Sequence, residues 1–179
     1  MLKHTLEVFK ETIKLIVISL IIVLPIRYFV MQPFIVQGAS MDPTYENGEY
    51  LIIDELSYRF RPPERGEVVV FRPPLQPNLY YIKRIIGLPE ETIKIQDGQI
   101  IIFNKDNPQG FALQENYLDS GLYTSGDVNT NLGASEYFVL GDNRFVSSDS
   151  RYWGSLPKNN LTGKVFLRIF PLSRFQLFN

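Results

Sequence analysis

The sequence predicts a mainly β protein, with twisted antiparallel sheets forming a partly closed, barrel-like domain behind one N-terminal transmembrane helix. Two observations predict the sheets. Short runs rich in Val, Ile, Phe and Tyr recur along the chain, and Pro and Gly, 12 of each in 179 residues, punctuate them. A third predicts the helix: Leu15 to Ile26 is apolar except for Ser19, and apolar character resumes from Tyr28 to Met31.

A span over residues 13–31 is close to the ~20 residues that a bilayer helix needs. Lys14 can snorkel at one end, and Tyr28 and Phe29 suit the opposite interface. Pro25 and Arg27 shorten the apolar core towards that of a cleavable signal sequence, but Val36-Gln37-Gly38 fits a small-residue cleavage pattern only loosely. The expected organisation is a cytoplasmic N-terminus over 1–12, an uncleaved single-pass anchor over 13–31, and an extracytoplasmic β domain over 32–179.

Within that domain the strands follow in order. Phe34-Ile35-Val36, Tyr50-Leu51-Ile52-Ile53 and Glu67-Val68-Val69-Val70-Phe71 read as short buried strands, with Asn47-Gly48 and Arg65-Gly66 as turns before the second and third. Pro62-Pro63 and Pro73-Pro74 fall in the loops on either side of the third. Leu79 to Ile86 follows, ended by Gly87-Leu88-Pro89. Asp97-Gly98 between Thr92-Ile93-Lys94-Ile95 and Gln99-Ile100-Ile101-Ile102-Phe103 is a two-residue hairpin signal. Residues 104–134 are polar and turn-rich, and read as an excursion or small lid. Glu136 to Leu140 and Gly163 to Phe170 complete the sheets.

Inventory narrows the chemistry. The formal net charge is −1, with 21% charged residues, so nothing points to nucleic acid. There is no cysteine, which removes disulfides, thiol nucleophiles and thiolate metal sites. The single histidine, His4, precedes the apolar segment, so no imidazole lies beyond it for a Ser-His-Asp triad or a zinc site. Asp127-x-Asn129-x-Asn131 begins like a calcium loop, but Gly133 comes one position late and Phe138 stands where the bidentate glutamate belongs. Asn160-Leu161-Thr162 is a sequon of the kind chance supplies. No metal or other cofactor is expected.

Two stretches carry possible chemistry with a third. Gly38-Ala39-Ser40-Met41-Asp42-Pro43-Thr44 presents a serine hydroxyl on a turn, although a Ser-x-x-Pro run is ordinarily only a turn. Lys83, in Tyr81-Ile82-Lys83-Arg84-Ile85-Ile86, is either a snorkelling lysine on a wet face or a desolvated amine whose lowered pKa lets it take a proton from a serine. Gly141-Asp142-Asn143-Arg144, followed by Ser147, Asp149, Ser150 and Arg151, is either a loop held by Asp–Arg pairs or a support for that lysine.

Together, in this order and behind an N-terminal anchor, the three stretches resemble the nucleophile, general-base and C-terminal boxes of the type I signal peptidases. The likeness covers residues 13–103 and 136–171 and leaves the excursion as a variable, non-catalytic insertion. It implies a membrane-bound serine endopeptidase that removes signal peptides from exported preproteins, working at the lipid surface on the extracytoplasmic side and needing no cofactor. By motif position Ser40 would be the nucleophile and Lys83 the general base. Ser147 would orient Lys83, and Asp149 and Arg151 would support the loop. The oxyanion would be held by the Ser40 backbone N–H and a second donor two residues earlier. One branch of the family has a serine there and this chain has Gly38, which leaves that donor open. Phe34, Val36, Met41, Tyr45, Tyr81 and Ile82 lie where the shallow substrate pockets are expected; each also suits an ordinary β core. Nine residues separate Met31 from Ser40, at most ~30 Å of chain, so the site should lie near the headgroups, where Trp153, Phe175 and Phe178 could meet lipid. Two competitors are a self-cleaving repressor-type Ser-Lys peptidase and an anchored, non-enzymatic binding domain. The apolar segment and the absence of a DNA-binding helical domain oppose the first. The Ser40/Lys83 pairing without a local histidine opposes the second.

Overall fold

A computed structural model of the protein describes residues 2–29, 31–118 and 123–178. It opens with a long helix, α1 (Leu2–Phe29), and continues as a mainly β structure. Among the described residues no helix is long and apolar enough to cross a membrane.

The strands are β1 (Met31–Ile35), β2 (Tyr50–Asp54), β3 (Val68–Phe71), β4 (Tyr81–Gly87), β5 (Thr92–Gln96), β6 (Gln99–Phe103), β7 (Phe111–Ala112), β8 (Val128–Asn131), β9 (Glu136–Leu140), β10 (Leu156–Pro157), β11 (Leu161–Phe170) and β12 (Gln176–Leu177). A short helical turn, α2 (Ser150–Trp153), lies between β9 and β10. The larger sheet runs β1-β2-β11-β3-β4-β9-β10, with β12 on β11, and every pairing is antiparallel. Register shifts in the pairing of β11 with β2 and β3, and of β4 with β9, curl this sheet into a half-barrel. The smaller sheet, β7-β6-β5-β8, is also antiparallel.

Side-chain alternation explains how the layers form. All four residues of β3 are buried. Val68 and Val70 join a core with Met41, Tyr45, Leu51 and Ile53, while Val69 and Phe71 join another with Ile85, Tyr137 and Val139. A third core, built from Ile86, Ile93, Ile95, Ile102 and Phe138, lies between β4, β9 and the smaller sheet.

The expected strands form, with ends moved by no more than three residues. The 104–134 excursion is more regular than its composition indicates, because β7 and β8 extend the smaller sheet. The calcium-loop look-alike falls on β8, where the Asn131 side chain accepts a hydrogen bond from Thr92 Oγ1 at 2.7 Å. Of the three aromatics considered for lipid contact, Phe175 is exposed, but Trp153 packs against Phe71 and Phe178 against Tyr45.

Candidate active site

Ser40 lies in the turn after β1, and the chain curls there so that Tyr45 N–H donates to Met41 O at 2.9 Å. Met41 and Tyr45 therefore drive into the core, 1% and 2% exposed, while Ser40 stays at the surface of a groove. Arg168, buried on β11, holds the turn from behind: Nη1 donates to Thr44 O at 2.8 Å and to the Glu49 carboxylate at 2.9 Å.

Lys83 arrives from the opposite wall. It is only 3% exposed in the middle of β4, and its Nζ lies 2.6 Å from Ser40 Oγ and donates to Ile82 O at 2.8 Å. Burial pushes its pKa down from the ordinary 10.5 to about 8, against the opposing pull of Asp149 and Asp142. At neutral pH roughly a tenth of such amines are unprotonated and able to accept the Ser40 hydroxyl proton.

The loop after β9 closes the site. Asn143 N–H donates to Ser40 O at 3.1 Å, so this loop and the serine turn are stitched backbone to backbone. Gly141 is required there: a Cβ would fall 2.4 Å from Ser40 O and 2.3 Å from Ser147 Oγ. Asp149 is fully buried and caps α2. Its carboxylate accepts from Gly141 N–H at 3.1 Å and from Arg151 Nε and Nη2 at 2.8 and 2.9 Å. Arg151 also donates to Arg144 O at 2.8 Å. Ser147 is buried, but among the described residues its hydroxyl has no hydrogen-bond partner and makes no bond with Lys83.

Gly38 has φ +88°, a conformation natural to glycine, with open space where a Cβ would stand. Its N–H donates to Asn47 Oδ1 at 2.9 Å, so that amide is committed. Ser40 N–H bonds to no other group among the described residues.

The groove beside Ser40 has a volume of about 570 Å³. Of the residues expected at substrate pockets, Phe34, Val36, Tyr81 and Ile82 line it; Met41 and Tyr45 do not, because the turn sends them into the core. β1, an outer strand of the sheet, forms one wall, and the Phe34 ring meets Tyr80 edge-on at 5.1 Å.

Sequence reasoning passed over three partners. Arg84, beside Lys83, pairs with buried Asp142 through Nε at 2.8 Å and Nη2 at 2.5 Å. Two adjacent cations inside an apolar strand were the available signal. Asn47 was read only as a turn former. Glu115, which binds Arg144, stands in the excursion with no pattern around it.

A serine hydroxyl against a buried amine, at the foot of an open groove on a mainly β scaffold, is the build of a serine endopeptidase. A family model described as "Signal peptidase, peptidase S26" matches residues 9–170, and the chain belongs to that family. It is 39% identical to the "Probable signal peptidase I-1" of Synechocystis sp., over 93% of this chain and 85% of that one. It is 38% identical to the "Signal peptidase I" of Leptolyngbya laminosa, over 92% and 81% of the two chains. A crystal structure of a signal peptidase I from Enterococcus faecalis is 28% identical, with a TM-score of 0.48, covering 58% of this chain and 97% of that one.

Proposed function

We propose that Ser40 and Lys83 form the catalytic dyad with which this enzyme removes signal peptides from exported preproteins. The 2.6 Å contact between Ser40 Oγ and the buried Lys83 Nζ, at the edge of the groove, carries this reading. Neutral Lys83 takes the hydroxyl proton as Ser40 Oγ attacks the scissile carbonyl carbon. The uncommitted Ser40 N–H steadies the oxyanion that forms. Lys83 then passes the proton to the departing amine, leaving an acyl-Ser40. A water, deprotonated in turn by Lys83, releases the signal peptide and restores the serine.

Asp149 and Arg151 hold the loop in register, and the uncommitted Ser147 hydroxyl is the group that would steady Lys83. Phe34, Val36, Tyr81 and Ile82 give the groove an apolar lining fitted to small side chains, with the substrate extended along β1. α1 is read as the single-pass anchor, with the β domain extracytoplasmic. Its described apolar side chains, from Val8 to Val23, are exposed without protein cover, which lipid would supply. Snorkelling of Lys14 would extend its apolar run.

Cleavage of a preprotein by the detergent-solubilised full chain, beside Ser40→Ala, tests the reading. The wild type should release the mature protein and Ser40→Ala should release none; equal cleavage by both would refute it. In membranes the wild type should resist alkaline carbonate extraction, and its release would overturn the anchor.

A further inference from the structure

The excursion read as a non-catalytic insertion reaches into the supports of the active site. Arg144 follows Asp142 and Asn143 and is 1% exposed. Its Nε donates to Gly141 O at 3.1 Å. Its two terminal nitrogens fork onto the Glu115 carboxylate, Nη1 to Oε2 at 2.8 Å and Nη2 to Oε1, and Nη1 also donates to Thr124 Oγ1. Every nitrogen of this guanidinium is thus committed, and apart from Gly141 O its partners all come from the excursion.

Neighbouring contacts repeat the arrangement. The Arg84 guanidinium lies over the Tyr117 ring at 3.9 Å, and Tyr117 Oη donates to Glu115. Arg151 Nη1 donates to Ser125 O at 3.0 Å. Glu115, Tyr117, Thr124 and Ser125 therefore touch three arginines near the serine: Arg84 beside Lys83, Arg144 on Gly141, and Arg151 on Asp149. A loop merely crossing the surface would leave its carboxylate in water, whereas the Glu115 side chain is 15% exposed.

We propose that Glu115, through Arg144, is a positioning residue for the Ser40–Lys83 pair, so that this carboxylate of the excursion is a working part of the active site. The path is short. Arg144 fixes the Gly141 carbonyl, and Gly141 lies so close to Ser40 O that a Cβ there would be 2.4 Å away. The next amide but one, that of Asn143, donates to the same Ser40 carbonyl. A bidentate carboxylate fixes both the distance and the plane of Arg144, so its loss would let this loop rotate against the serine turn. Small displacements of a reacting group are felt in turnover more than in substrate binding.

This proposal rests on the dyad reading, and its test separates the two. Full-length, detergent-solubilised enzyme is assayed with a fluorogenic peptide spanning a signal-peptide cleavage site, and kcat and KM are measured for wild type, Glu115→Gln, Glu115→Asp, Arg144→Met and the double variant Glu115→Gln/Arg144→Met. Thermal unfolding is followed on each. Glu115→Gln should lower kcat by about 10-fold or more with KM within about 2-fold. Glu115→Asp should recover part of the loss, and the double variant should be no slower than the slower single variant, as expected for two residues acting through one contact. If Glu115→Gln unfolds below the assay temperature, Thr124→Val, which removes one hydrogen bond from the same guanidinium, is judged by the same kcat and KM criterion. A kcat within 2-fold of wild type in a folded variant, or additive losses in the double variant, overturns the proposal. Failure of the wild type itself to cleave the peptide overturns the dyad reading instead.

Discussion

Lys83→Met is expected to lose about 10³-fold or more in kcat/KM while becoming slightly more stable. Methionine keeps the length and apolar character of the buried stem but cannot accept a proton, so Ser40 would be left without its base. The stability argument runs through the proton. In the unfolded chain Lys83 titrates near its ordinary 10.5, and in the fold near about 8. The unfolded state therefore binds more protons between those values, and stability rises with pH across that window. Below pH 8 the full penalty of holding a buried ammonium is present, about 3 kcal/mol for a depression of this size. Removing the amine relieves it, less about 1 kcal/mol for each of the hydrogen bonds to Ser40 and Ile82, for a net gain of about 1 kcal/mol at neutral pH. Paired measurements of peptide cleavage and urea unfolding check both halves. A variant that keeps its activity contradicts the role of Lys83, and one that is markedly destabilised contradicts the burial penalty.

Arg84→Met is expected to act in the opposite sense on stability. Asp142 is fully buried at its side chain and has Arg84 as its ion-pair partner. Truncating the arginine strands a carboxylate in the interior, which costs about 3–5 kcal/mol. Two further contacts go with it, the bond from Nη1 to Gly66 O and the stacking on Tyr117, and the pair itself is what ties β4 to the loop that touches Ser40. The urea midpoint should fall steeply with an unchanged slope. Lys105→Ala gives the comparison. Its pair with Glu90 has side chains 84% and 60% exposed, and losing it should change stability by less than about 1 kcal/mol. An Arg84→Met variant as stable as Lys105→Ala would show that the buried pair does not hold the loop.

Where single residues announce their environment, the sequence was readable. Runs such as Val68 to Phe71 are continuous because both faces of β3 are covered, and Asp97-Gly98 joins β5 to β6 as its composition demands. Ser40 and Lys83 could be paired on paper because no histidine exists beyond the apolar segment and because a lysine in an apolar strand needs a reason. The parts not read share a different physics. β8 is Val128-Asn129-Thr130-Asn131, a strand with one apolar residue, held by pairing with β5 rather than by a hydrophobic face. Met41 and Tyr45 match pocket positions of the family and suit an ordinary core equally well; the direction of a side chain in a tight turn depends on φ and ψ, which residue type does not report, and here both side chains lie in the core. Glu115 and Arg144 are 29 positions apart, and a buried ion pair between distant loops leaves no local pattern.

The most direct test of the Ser40–Lys83 dyad is the pH dependence of kcat/KM for the wild-type enzyme on a signal-peptide substrate. With Lys83 titrating near about 8 and active only when neutral, kcat/KM should level off above that pH and fall about tenfold for each unit below it, reaching roughly 100-fold below the plateau at pH 6. A profile that stays flat down to about pH 5 would contradict Lys83 as the base.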